Sequence, residues 1–189
     1  AAVAETVERE GLAVRNPVAM RYVSDMALQD GNSFAGIRTA GYSFRNAALL
    51  MFMTAEEYNR LEGGNVELAE GEAMVYVIKG KIPGDTMDLN GHSLRIRGYL
   101  DAFKTAEQFL VGVNRLLAQN YVVITANEQD LFRAHESLIG EKEGYTYNYL
   151  FDTGAGREAQ VGLVSALKDR LKGLRVDGYA AGREESRQV

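Results

Sequence analysis

Met51 to Gly64 reads MFMTAEEYNRLEGG. Three apolar residues end at a threonine, and the pattern then turns helical. Thr54 and Glu57 stand at the spacing of a capping box. The threonine oxygen accepts from the backbone N–H three residues on, and the glutamate reaches back to the threonine N–H. The helix is short because Gly63 and Gly64 supply a left-handed exit. Upstream the apolar run reaches back to Ala47 as AALLMFMT, without polar alternation. That is a strand buried on both faces, with Met51 and Met53 in the core. No side chain in the phrase is suited to a reaction. It is a structural corner, strand into helix, and it points to a fold in which the two interleave.

The flanking sequence continues the alternation. Glu72 to Gly80 (EAMVYVIKG) reads as the next strand. In Thr86 to Leu100, Asn90 and Gly91 separate two alternating runs. Both tolerate positive φ, so a type I′ hairpin follows, with Leu94 and Ile96 facing one way and Arg95 and Arg97 the other. Tyr121 to Thr125 (YVVIT) is a buried strand, and Asn127 with Asp130 opens a helix that runs through Ile139 and stops at Gly140. Tyr145 to Asp152 (YTYNYLFD) is a strand. Arg157 to Gly173 is an amphipathic helix with Val161, Val164, Leu167 and Leu171 on its apolar face. The segment Glu107 to Gln119 is ambiguous, since Gly112 and Val113 weaken a helical pattern.

Before the corner, Ala2 to Glu10 forms a short helix stopped by Gly11, and Pro17 disfavours helix just before it. Val18 to Asp25 alternates as a strand: Val18, Met20 and Tyr22 one way, Ala19, Arg21 and Val23 the other. Ala27 to Ser43 is rich in Gly, Ser, Asn and Asp and reads as a long irregular excursion. Loops of that length are usually functional or mobile. No internal repeat appears. The expected architecture is α+β: a mixed, mostly antiparallel sheet with helices packed on it. Residues 1–189 form a single domain, or two small lobes sharing a core.

Bulk chemistry narrows the function. The 189 residues carry 21 basic and 26 acidic side chains, a net charge of −5. Nucleic-acid binding is disfavoured, because it needs a basic surface. There is no cysteine, which excludes disulfides and thiolate zinc sites. No run reaches the ~18 apolar residues needed to span a bilayer. Both ends read as cuts in a longer protein, helical and charged.

Candidate chemistry is sparse. GAGREAQVG, Gly154 to Gly162, fits neither the dinucleotide nor the P-loop spacing, and a glycine turn feeding a helix is the better reading. His92 follows the hairpin turn and His135 lies on a helix. Neither has a second histidine at metal-ligand spacing, and both read as solvated surface residues. The charge run Glu141 to Glu143 reads as a solvated loop. No serine sits in a nucleophile elbow. No catalytic residue, metal ligand or cofactor site is nominated. The one notable pattern is Tyr145, Tyr147, Tyr149 and Phe151, four aromatics on one strand face. This is either a stacking or peptide-binding platform or a face covered by the following helix. The second is favoured because strands prefer aromatics in any case. With Phe34 and Ile37 of the excursion, these residues form the candidate ligand or partner surface.

The corner also carries a resemblance. LLMFMTAEEYNRLEGGNVELAEGEAMVYV resembles the extracytoplasmic domain of FtsX-like ABC transporter permeases, in particular the long external domain of peptide-antibiotic export and sensing permeases. The matching positions are Phe52, Met53, Thr54, Glu56, Glu57, Tyr58, Asn59, Leu61 and Gly63, then Val66, Leu68 and Glu72. MDLNGHSLRIRGYL resembles a hairpin of the related MacB-like periplasmic core. YVVITANEQDLFRA and YLFDTGAGREAQVGLVSALKDRL resemble later strand–helix units. The likeness runs from about Val18 to Leu171. It implies an extracytoplasmic domain set between two transmembrane helices of a cell-membrane protein. It implies no catalytic residues here, and ATP hydrolysis by a separate cytoplasmic ATP-binding subunit. The outer face would grip or signal to a peptide or protein: an antimicrobial peptide, a lipoprotein or a cell-wall hydrolase. The negative charge would modestly steer cationic peptides. On this reading the two termini lie within helix-packing distance of each other, about 10 Å. The alternative, a free-standing extracytoplasmic ligand-binding or sensor domain, calls instead for a closed pocket walled by the aromatic strand.

Overall fold

The computed structural model describes residues 1–24, 38–39, 42–43, 49–77, 80–100, 120–140, 146–173 and 176. In chain order the elements are α1 (Ala2–Arg9), β1 (Arg15–Ser24), β2 (Arg38–Thr39), β3 (Tyr42–Ser43), β4 (Leu49–Thr54), α2 (Ala55–Glu62), β5 (Glu72–Tyr76), β6 (Thr86–Leu89), β7 (His92–Tyr99), β8 (Asn120–Thr125), α3 (Glu128–Ile139), β9 (Thr146–Asp152) and α4 (Arg157–Arg170). The main sheet has the order β6-β7-β5-β8-β4-β1-β9, and β2 and β3 form a separate hairpin. Four of the described pairings are antiparallel, while β4–β8 and β5–β7 are parallel. The fold is α+β with a mixed, mostly antiparallel sheet, as the sequence leads one to expect.

Two compact units divide the chain: Val18–Tyr149, and Ala1–Pro17 together with Leu150–Val189. The larger is built around β4. Leu50, Met51, Phe52 and Met53 are all buried, because β4 has a strand on each side and cover on both faces. Leu50 and Phe52 face α3, in a cluster with Val23, Ala73, Val75, Met87, Leu94, Val123, Leu131, Ala134 and Leu138. Met51, Met53, Val122 and Ile124 are buried on the opposite face, as strand alternation requires.

Local chemistry sets the element ends. The hairpin β6–β7 turns at Asn90 and Gly91, both at positive φ (50° and 98°), which is the type I′ turn. Asp88 tightens it by accepting from the Gly91 N–H at 2.9 Å and the Ser93 hydroxyl at 3.1 Å. Helix α3 starts at Asn127, whose side chain accepts from the Asp130 N–H at 2.9 Å. Asp130, itself buried, accepts from the Gly71 N–H at 2.8 Å and so ties α3 to the turn before β5.

Three elements depart from expectation. Strand β1 begins at Arg15, ahead of Pro17, and Asn16 takes positive φ (48°). The described ladder to β4 runs from Arg21 to Ser24, so the proline's missing N–H costs no described rung on that side. The excursion is not wholly irregular: Arg38 pairs with Ser43 and Thr39 with Tyr42. The Tyr42 ring meets Tyr121 of β8 edge-on, centroids 6.3 Å apart. Helix α4 buries Leu163, Val164 and Leu167, whereas Val161 is 49% exposed. The packing stripe centres between Leu163 and Leu171, and residue 161 lies roughly 110° off it at 100° per residue.

Candidate functional site

The strand-to-helix corner is a knot of hydrogen bonds. Thr54 Oγ1 accepts from the Glu57 N–H at 3.2 Å, and Glu57 Oε1 accepts from the Thr54 hydroxyl at 3.0 Å and from the Thr54 N–H at 3.4 Å. The capping box is complete, and Gly63 closes α2 in the left-handed region. Gly64 is not left-handed. Its role is close approach: a Cβ there would lie 3.3 Å from Asn59 Oδ1.

The second carboxylate oxygen of Glu57 has a longer reach. Oε2 accepts from the Ala19 N–H on β1, 38 residues away. The β1–β4 register pairs Arg21 with Phe52, so two residues on Ala19 would stand opposite Thr54. At that point β4 ends and the chain turns into α2. Glu57 thus supplies an acceptor where the strand has gone, and the buried carboxylate is matched on both oxygens. Asn59 does something similar for the chain after α2. Its amide donates to the Val66 carbonyl at 2.9 Å and its carbonyl accepts from the Val66 N–H at 2.8 Å. One side chain imitates a peptide group and pins the segment leading to β5.

The smaller unit holds α1 against α4. Arg170 donates to the Glu5 carboxylate in an ion pair. Val7 packs with Leu163 and Leu167, and Val3, Leu12, Val14, Phe151, Leu171 and Val176 close around them. A Cβ on Gly162 would lie 3.9 Å from a Glu10 carboxylate oxygen. Glu5 therefore meets the C-terminal turn of α4 and Glu10 its N-terminal half, so the helices are antiparallel. Ala2 and Arg170 lie at the same end of the pair.

A shallow depression of about 590 Å³, wide open to solvent, lies at the start of α4. Glu10, Gly156, Arg157, Glu158, Ala159 and Gly162 line it. None of the candidate aromatic residues does, so it is not the closed aromatic-walled pocket that the sensor reading calls for. Among the described residues no group of three or more His, Asp or Glu side chains could hold a metal ion. No helix among them is long and apolar enough to cross a membrane.

The aromatic strand is β9. Tyr149 is 39% exposed, whereas Phe151 is partly buried against the Val7–Leu163–Leu167 cluster. The alternation therefore ends under the helix pair at one residue and reaches solvent at the other. Tyr147 lies on the strand. Tyr145, Phe34 and Ile37 fall outside the described residues, as do Glu141 to Glu143 and the segment 107–119.

Histidine 135 is not a surface residue. It is 0% exposed, on the inner side of α3, with its ring edge-on to Phe52 at 6.1 Å. Burial, and then the nearby positive charge of Arg21, pull its pKa down to about 4. The Arg21 guanidinium lies 4.2 Å from the centroid of the Phe132 ring. Position 135 is four after Leu131 and three before Leu138, so helical spacing alone marks it as inward-facing. His92 is half-buried, with Nε2 shielded from solvent. A second buried polar group is the Tyr121 hydroxyl, 3.5 Å from that of Tyr42. Burial first, then the Tyr42 hydroxyl, push its pKa up.

No family profile, no curated protein and no solved structure matches this chain.

Proposed function

We propose that the chain is the extracytoplasmic domain of an ABC transporter permease of the FtsX-like kind, acting by a change of pose that couples events inside the cell to a peptide or protein outside. The single observation that carries the reading is the α1–α4 pair. The N-terminal end of α1 and the C-terminal end of α4 lie at the same end of the pair, as a domain held by two adjacent membrane helices would need. Glu5 and Arg170 are in direct contact across that end, while residues 177–189, which lead to the C-terminus, lie outside the described residues. The corner supports it from another side. Thr54, Glu57, Asn59 and Gly63, four of the residues that carry the resemblance, are the ones that build the hydrogen-bonded turn.

On this reading the partner inside is a cytoplasmic ATP-binding subunit, and nucleotide-driven closure changes the spacing of the membrane helices. A coupling of that kind requires contacts that differ between two states.

The test is topological. Glu67 is exposed and the 189 residues hold no cysteine, so Glu67→Cys adds one labelling site within them, to be read against the unsubstituted full-length protein as background. A membrane-impermeant maleimide should label it in intact cells, and an ATP-binding subunit should co-purify in mild detergent. Labelling only after the membrane is permeabilised would refute the assignment.

A further inference from the structure

We infer that α1 and α4 form a clasp that opens by unzipping when the outer ends of its two helices, Ala2 and Arg170, are drawn apart, and that stays closed when they move together. The inference stands on the geometry of the smaller unit and does not depend on the proposed function.

Neither helix is strong alone. Helix α1 has eight residues and no side-chain cap at Ala1; α4 has no side-chain cap at Gly156 and carries Gly162 in its interior. Helices this short are marginal in water without packing, and an interior glycine weakens one further. Each is therefore held by the other. The points where they approach one another follow in series along the pair. The Glu5–Arg170 ion pair comes first, the Val7–Leu163–Leu167 contact next, and the approach of Glu10 to Gly162 last.

The direction of load follows from the antiparallel arrangement. Ala2 and Arg170, the outer ends of the two helices, lie beside the Glu5–Arg170 pair. A force that separates them meets one contact at a time, beginning with an ion pair whose side chains are partly exposed and hence weakly bound. A common displacement of both ends loads none of these contacts. Pulling on opposite ends of the pair would instead load all of them together. The unit thus responds to the distance between its ends and passes on their shared motion.

Single-molecule pulling on the 189-residue chain tests this, and the absence of cysteine makes the attachment points unambiguous. With handles at Ala1→Cys and Lys172→Cys, an early low-force event should release about 40 residues, ~14 nm of extended chain at ~3.5 Å per residue, before the remainder unfolds. With handles at Ala1→Cys and Arg157→Cys the same contacts are sheared, and the first event should need at least twice the force. Arg170→Ala should lower the early force in the first geometry and leave the later event unchanged. One all-or-none rupture with the first pair of handles, or equal forces in the two geometries, overturns the inference. The Glu67 labelling result is independent of either outcome.

Discussion

In the larger unit, fifteen described residues from six strands, α3 and the Ile82 loop are buried in one continuous cluster. In the smaller unit three are, all on two helices. The contrast extends to polar contacts. The larger unit buries Glu57 and Asp130 with matched donors, whereas the smaller is closed by an ion pair open to water on both sides. The closing contact, Glu5 to Arg170, also joins residues 165 apart in sequence. Closing so long a loop costs chain entropy that the few contacts of the smaller unit have to offset. One unit is a frame and the other a fastening.

The sharpest way to break that contrast is at Phe52, wholly buried at the centre of the sheet. Phe52→Ala should cost about 3–5 kcal/mol, read as a fall in the urea midpoint and a loss of amide protection throughout both units. Leu167→Ala is the counterpart in the fastening. Its cost, about 2–3 kcal/mol, should stay local: α1 and α4 amides exchange faster while β4 and β8 keep their protection. Equal loss of protection in β4 would show the two units to be one cooperative body.

Acid gives a comparable effect, confined to the frame. His135 is held neutral in the fold, its pKa near 4 against 6.5 in the unfolded chain. The unfolded chain therefore takes up the proton first, and stability falls as pH drops from about 6.5 to about 4, then levels off. The expected loss is about 3 kcal/mol, and His135→Leu should remove that slope whatever it does to the stability at pH 7. At the corner, Glu57→Ala should cost about 2 kcal/mol, since it strands the Ala19 and Thr54 donors, while Glu56→Ala, which loses only the exposed pair with Arg60, should change stability by less than about 0.5 kcal/mol. Chemical denaturation of the two variants side by side measures the difference.

What the sequence disclosed follows the range of the forces involved. The Asn90-Gly91 turn, the Thr54–Glu57 box and the Asn127 cap are decided within four residues, and each could be read directly. The order of the strands could not: β4 lies parallel to β8, some seventy residues on, and no local pattern encodes that choice. The reach of Glu57 to Ala19 was hidden for the same reason. His135 and Val161 are different cases, because the information was present. The Leu131–Ala134–His135–Leu138–Ile139 spacing turns the histidine inward, and the Leu163–Val164–Leu167 spacing turns Val161 out, but a polar ring and an apolar side chain pull the eye the other way. Of the candidate surface, the sequence picked out the strand, its alternation and the following helix as a cover; the share that α1 adds over Phe151 comes from nearly 150 residues earlier.

The Glu57 carboxylate has a consequence for how such a sequence can change. A strand that ends beside a longer neighbour normally leaves that neighbour with an unanswered donor, and the usual remedies are a water molecule or another strand. Here a single side chain answers it, so the length of the edge is written in one residue rather than in a stretch of backbone. Aspartate is one carbon too short to hold both ends of that bridge. Substitutions that spare charge but not reach should therefore be as damaging at position 57 as those that remove the acid altogether.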